Sequence, residues 1–211
     1  MNPSNYLKIK NKIPINVKIL AVSKGFKSQE IKTIQSLGQN HFGESKVQEA
    51  IEKQLILKDL KKLEWHFIGR IQSNKIRKIV QNFQYIHSVD SFKNLQKISC
   101  ISREEKKNPS IMLQIKLSDD PTKGGFNPEL LKLKWREIQE LKNIKLSGLM
   151  TINPKGLGSN QNLELFKKCR SLADSFELPD CSMGMSGDWK EAIDAGATWL
   201  RLGSIIFGDR S

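Results

Sequence analysis

Aromatic side chains are scarce in this chain: Phe, Trp and Tyr make up 7% of its 211 residues. None interleaves with the basic runs, as a stacking platform for nucleic-acid bases would require. Cysteine is scarcer still. Cys100, Cys169 and Cys181 are widely spaced and form no C-x-x-C pair, which reads as reduced, cytosolic usage with packing roles. No apolar run approaches the length of a membrane span. Met1–Ile13 is largely polar, carries three lysines and lacks an apolar centre, so it does not read as a signal peptide. A soluble cytoplasmic protein is expected, with no membrane partner. Also missing are a Walker A loop, a G-x-S-x-G elbow and the Gly-rich fingerprint of a dinucleotide fold. His41, His66 and His87 fall on three different expected strands with no H-x-H or H-E-x-x-H spacing. They read as satisfied or surface histidines, and no metal site is expected.

Acidic residues are outnumbered: 22 Asp and Glu face 35 Lys and Arg, a formal charge of +13. The basic residues spread through Lys8–Lys12, Lys53–Lys62, Lys75–Lys78 and Lys132–Lys145, mostly on expected outer helix faces. That is the pattern of solvated helix surface rather than of a nucleic-acid groove. A positive surface would still attract an anionic small molecule. Lys75–Lys78, with Arg70 before it, is a solvated helix face or a surface for a partner or second ligand.

What is present is organised around Val17–Lys24, V-K-I-L-A-V-S-K. This short apolar run, rich in β-branched residues and closed by Gly25, reads as a strand buried on both faces. A lysine at its carboxyl end, Lys24, is either a snorkelling surface charge or an amine held in a dry pocket. An amine of the second kind loses its proton more easily and can attack an aldehyde.

The rest of the chain alternates. Ser28 caps a helix carrying Ile31, Ile34 and Leu37, ended by Gly38. A strand at His41–Gly43 precedes a helix from about Ser45 to Leu57, with Val47, Ile51 and Leu55 on one face. Strands follow at Glu64–Gly69, Tyr85–Val89, Ile111–Leu117, Ile144–Met150, Cys181–Met185 and Thr198–Gly203. Helices fall at Ser73–Val80, after Asp90 or Ser91, after Asn127-Pro128, around Leu165, Cys169 and Leu172, and at Asp188–Ala195. Eight strands in strict alternation with helices, without a linker or composition shift, imply parallel strands. About 200 residues suit a single-domain (β/α)8 TIM-type barrel, spanning residues 1–211 with a short amino-terminal segment over 1–16.

In such a barrel, functional groups gather where strands end, and the loops after strands seven and eight commonly hold phosphate. Here those loops are Met183–Asp188 and Arg201–Ile205. Both bear glycine, which lets backbone N–H groups approach an oxyanion, and serine, which adds donors. Ordinary turn chemistry would look the same. Closure makes strands one and eight neighbours, bringing Lys24 and Arg201 close. Lys123-Gly124-Gly125 after strand five either helps close the pocket or forms a turn. An amine beside a phosphate cradle suggests pyridoxal 5′-phosphate as cofactor.

The motifs that carry this also carry a resemblance. They are A-V-S-K (Ala21–Lys24), F-G-E and V-Q-E (Phe42–Glu44, Val47–Glu49), W-H-F-I-G running into Q-S-N-K (Trp65–Gly69, Gln72–Lys75) and H-S-V-D (His87–Asp90). G-L-M (Gly148–Met150), S-M-G-M-S (Ser182–Ser186) and R-L-G-S-I-I-F-G-D-R (Arg201–Arg210) follow in the same order. The chain resembles the pyridoxal phosphate homeostasis protein family, whose barrel is similar to the N-terminal domain of alanine racemase. The resemblance implies that Lys24 holds the cofactor as a Schiff base. It implies that Met185, Ser186, Gly203 and Ser204 cradle its phosphate, and that Arg201 faces the pyridine nitrogen. A guanidinium there cannot accept a proton, so the ring stays a weak electron sink. Ser45 stands where the family usually has Asn and offers a shorter cofactor contact. Ser204 replaces a common Thr and keeps the hydroxyl.

A non-enzymatic protein that holds pyridoxal phosphate and hands it to apo-enzymes is therefore expected. The alternative is an amino-acid racemase, which needs acid–base groups on both faces of the α-carbon. The C-terminal β-domain that brings a tyrosine to alanine racemase is expected to be missing after Ser211, which favours a monomer. Tyr6 and Tyr85 lie in the wrong places for the role. The family's leading helix needs more residues than Met1–Ile13 supplies, so it is expected to be truncated or absent, leaving one end of the barrel less well covered.

Overall fold

The structure is a computed structural model that describes residues 3–118 and 124–208. Lys123, Asp209 and Arg210, singled out above, lie outside the described residues. Eight parallel strands close into a barrel in sequence order, with β8 paired to β1. The strands are β1 Lys18–Val22, β2 His41–Glu44, β3 Glu64–Phe67, β4 Tyr85–Val89, β5 Ser110–Gln114, β6 Lys145–Met150, β7 Asp180–Ser182 and β8 Trp199–Leu202. The helices are α1 Pro3–Lys10, α2 Ser28–Ser36, α3 Val47–Ile56, α4 Ile76–Asn82, α5 Phe92–Glu104, α6 Pro128–Gln139, α7 Ser159–Ser175, α8 Trp189–Asp194 and α9 Ser204–Phe207. The expected (β/α)8 barrel is thus observed.

Two apolar layers hold it. The larger lies between the sheet and the helices and joins residues such as Ala21, Ile31, Phe42, Phe67, Ile86, Leu113, Leu149 and Leu200. The smaller fills the barrel interior with Leu20, Met112, Met150 and Trp199, flanked by Ile68, Tyr85 and Ile152. Strand alternation sends one set of side chains to each layer. The interior set also includes polar groups, because His66, His87, Ser182 and Arg201 are buried there.

Several boundaries differ from expectation for local reasons. Helix α2 begins at Ser28 itself, and its cap comes from Glu30, whose carboxylate accepts the Lys27 N–H at 2.7 Å. Ser91, rather than Asp90, caps α5 by accepting the Asn94 N–H. The buried face of α7 is Phe166, Cys169 and Ala173, so Cys169 is buried as expected while Phe166 and Ala173 take the places expected of Leu165 and Leu172. Strand β7 stops at Ser182 because Gly184, at φ +84°, turns the chain out of the sheet. Helix α3 buries Val47, Ala50 and Lys53 while Leu55 is exposed, so a lysine occupies what an apolar stripe would fill.

Where a truncated or absent leading helix was expected, a short one is present. Eight residues form α1, and Tyr6 and Ile9 are buried. Such a short helix draws its stability from docking rather than propensity. The Tyr6 hydroxyl donates to Gln39 Oε1 at 3.1 Å, and Gln39 Nε2 donates to the Ile19 and His41 carbonyls at 2.7 and 2.6 Å. Helix α1 contacts α9 and α2, the helices that follow β8 and β1.

Candidate functional site at the carboxyl mouth

β1 ends at Val22, earlier than expected, and Lys24 lies two residues beyond it and is half-buried. Its strand runs beside β8 in the register Leu20 to Arg201 and Ala21 to Leu202, so the neighbour relation inferred from closure holds. Ser45 follows β2 and is half-buried.

Arg201 is buried at 5% exposure and has its guanidinium fully aimed. One terminal nitrogen donates to the Ser182 carbonyl and hydroxyl at 2.6 and 3.0 Å, and the other to the Thr151 carbonyl at 2.8 Å. Burial lowers its pKa to about 10, with Asp188 opposing, so it remains a cation at neutral pH.

The two glycine-bearing loops meet. Ser186 Oγ accepts the Ile205 N–H at 3.3 Å, linking the loop after β7 to the one after β8. Asp188 stands at the start of α8 and accepts the Met185 N–H at 2.6 Å, so that N–H is already engaged. Burial raises the Asp188 pKa against the pull of that hydrogen bond and of Arg201. A Cβ built on Gly187 would meet nothing within 4 Å, and on Gly203 only Val22 at 3.6 Å, so backbone is open to approach at both loops. Gly203 is half-buried and Ser204 exposed, and Met185 is exposed.

A buried ion network beneath Lys24 was not expected from sequence. Lys53 Nζ donates to Glu44 Oε1 and Glu49 Oε1, both at 2.7 Å, and to the Ser23 carbonyl at 2.8 Å. Ser23 Oγ donates to Glu44, and the Gly25 N–H donates to Glu49. The residues on both sides of Lys24 are therefore tied to one ammonium and its two carboxylates. Burial raises the Glu44 pKa despite Lys53, and its Oε2 is buried without a hydrogen-bond partner among the described residues. At Glu49 burial is outweighed by the Lys53 and Gly25 hydrogen bonds, and the pKa falls. The i, i+4 pair Glu49–Lys53 was the available signal.

The three histidines also converge. His41 Nδ1 lies 3.1 Å from His66 Nε2, His66 Nδ1 lies 2.9 Å from His87 Nε2, and His87 Nδ1 lies 2.9 Å from Ser182 Oγ. This chain runs through the interior from the amino-terminal mouth to the serine that Arg201 holds. Burial keeps His66 and His87 neutral, the latter lowered to about 3. Sequence spacing could not reveal it, because adjacent parallel strands bring together residues some twenty positions apart.

The family model "Alanine racemase, N-terminal domain" matches residues 3–211. PipY of Synechococcus elongatus PCC7942 superposes with a TM-score of 0.96 at 39% identity, covering 99% of this chain and 100% of that chain. The same protein, solved with PLP bound, gives 0.94 at 38% identity, with 98% and 99% covered. Alanine racemase of Clostridium difficile 630, at 18% identity and TM-score 0.82, shares the fold over 98% of this chain and 56% of that one. This defines a racemase-type barrel. A pyridoxal phosphate homeostasis protein of Synechocystis sp. is 45% identical over 99% of both chains, and one of Aquifex aeolicus is 39% identical over 92% of this chain and 87% of its own. The chain belongs to the pyridoxal phosphate homeostasis protein family. No described helix is long and apolar enough to cross a membrane.

Proposed function

We propose that this protein binds pyridoxal 5′-phosphate at the carboxyl mouth and serves its homeostasis, holding the cofactor and handing it to apo-enzymes without turning over a substrate. The residues present fit the group. They offer an amine, a buried guanidinium and two serine-bearing loops whose backbone is open at Gly187 and Gly203. Bound there, the cofactor would supply an aldehyde and an electron-withdrawing ring. Lys24 would hold the cofactor through its aldehyde carbon as a Schiff base, the carbonyl oxygen leaving as water. Ser186 and Ser204 hydroxyls, with backbone at Met185 and Gly203, would hold the phosphate, and Ser45 would contact the ring. Arg201 would face the pyridine nitrogen and, remaining charged, could not protonate it.

The observation that carries the reading is Arg201, a guanidinium fixed by three hydrogen bonds on β8, the strand beside β1, whose end Lys24 follows by two residues. A fixed cation there makes the ring a weaker electron sink, which argues against transaminase-like chemistry. Tyr6 is on α1 outside the barrel and Tyr85 begins β4 at the opposite mouth. Neither described tyrosine can protonate the second face of a substrate. We take the working form to be a cytoplasmic monomer.

Purified protein mixed with pyridoxal phosphate should turn yellow and, after borohydride, carry a covalent pyridoxyl group on Lys24. Lys24→Ala should do neither. A colourless wild type overturns the binding assignment, while rapid Lys24-dependent exchange of the alanine α-proton overturns the non-enzymatic one.

A further inference from the structure

The amino-terminal mouth, away from the cofactor end, carries a second constellation. His41 begins β2 and Glu64 begins β3, and the two are register partners. His41 Nδ1 lies 3.1 Å from His66 Nε2 and 3.8 Å from Glu64 Oε2. All three donor atoms fall within 4.8 Å of one another. Tetrahedral coordination with bonds of about 2.0–2.2 Å separates donor atoms by about 3.3–3.6 Å. The two shortest separations bracket that value.

We propose that His41, Glu64 and His66 form a binding site for a divalent transition-metal ion of the Zn2+ class, with water as the remaining ligand. The inference is independent of the cofactor reading. His41 and Glu64 side chains are 27% and 42% exposed, so the ion has an entry path and room for that water.

The outer shell is also built. His66 turns its other nitrogen to His87, which turns its own to Ser182 Oγ. Metal-bound histidines commonly have this support. Tyr85 lies against Glu64 and stacks on His66 at 4.1 Å and 3°. With the ion in place both facing nitrogens are lone-pair donors to it. His41 then carries its proton on Nε2, and His66 carries its own on Nδ1, donating to His87 Nε2. His87 in turn donates to Ser182 Oγ, and no net proton leaves. The charged groups acting on this mouth are Glu64, Asp180 and Lys18. Lys18, 4.7 Å over the Trp199 ring, is the cation that opposes loading.

Metal-stripped full-length protein titrated with zinc chloride should take up a single strong equivalent. Cobalt chloride should give the intense visible absorption of tetrahedral Co2+. Tyr85→Phe should weaken Zn2+ binding about 10-fold, the lower end of the effect of losing an outer-shell partner. His41→Ala and Glu64→Gln, both at accessible positions, should weaken it further with thermal unfolding unchanged, and Lys18→Met should tighten it. Absence of the Co2+ spectrum, or Zn2+ binding that survives both His41→Ala and Glu64→Gln, overturns the proposal.

Discussion

At the scale of single residues, the least forgiving position outside the cofactor contacts is Lys53. Its ammonium is buried and compensates two carboxylates, one of which, Glu44, is fully buried. A buried pair is weak evidence of net stabilisation, yet removing one partner strands the other charge at a cost of about 3–5 kcal/mol. Lys53→Met should therefore lower the urea midpoint strongly, whereas Glu49→Gln, at a partly exposed position that keeps the Lys53–Glu44 pair, should lower it little. The pH dependence has a definite sign. Glu49 sits below its ordinary value in the folded protein, so its contribution is present above about pH 4.3 and is lost as pH falls through the lower folded value. Glu44 is raised by burial, so its contribution is present below its ordinary value and is lost as pH rises through the folded one. Stability profiles of Glu49→Gln should therefore lose an acid-side limb, and those of Glu44→Gln should decline less towards neutrality. Identical profiles for both variants and wild type would refute the assignment. None of this was legible from the hydrophobic pattern, which assigned the inner face of α3 to Val47, Ile51 and Leu55. The pattern registers apolar side chains only, and Lys53 reaches the interior through its aliphatic stem.

Among elements, the strands were read well and their ends less well. Periodicity reports which residues are buried, and burial continues past the last ladder hydrogen bond. Met183 and Gly184 are buried although β7 ends at Ser182. The Ser-Met-Gly-Met-Ser motif thus reads as strand but works as a loop. Contacts between loops were not legible at all, because they depend on backbone approach. Gly69, after β3, is the sharpest case. A Cβ there would lie 2.1 Å from the Ser45 carbonyl oxygen. The obstacle is backbone, so relief requires moving the loop after β2, which carries a proposed cofactor contact. Overpacking typically costs about 1–3 kcal/mol, and a backbone clash this close falls at or beyond the upper end. Gly69→Ala should lower the thermal midpoint and weaken cofactor binding together. Gly187→Ala, where nothing lies within 4 Å, should leave the midpoint unchanged. Equal midpoints for the two variants would show that the loop yields without resistance.

For the molecule as a whole, the order and number of βα units were legible because each unit must bury one apolar face, and eight such units close a barrel. What escaped was the seam. The unit after β8 is described only as α9, four residues long, and α1 packs against it from the other end of the chain. Its polar composition hid this, since two apolar side chains, Tyr6 and Ile9, do the burying. Each contributes about 1.5–3 kcal/mol of burial, and the Tyr6–Gln39 hydrogen bond adds about 1 kcal/mol. The same seam supports the proposed site, because α9 begins at Ser204 and Phe207 stacks on Phe26, just past Lys24, at 4.7 Å. A variant starting at Ile13 should accordingly show a lower thermal midpoint and a raised dissociation constant for pyridoxal phosphate. Tyr6→Phe, which keeps the ring and loses the hydroxyl, should show a smaller fall in stability with cofactor binding near normal. If the shortened chain binds the cofactor as tightly as the whole one and unfolds at the same temperature, α1 is an ornament and the barrel closes without it.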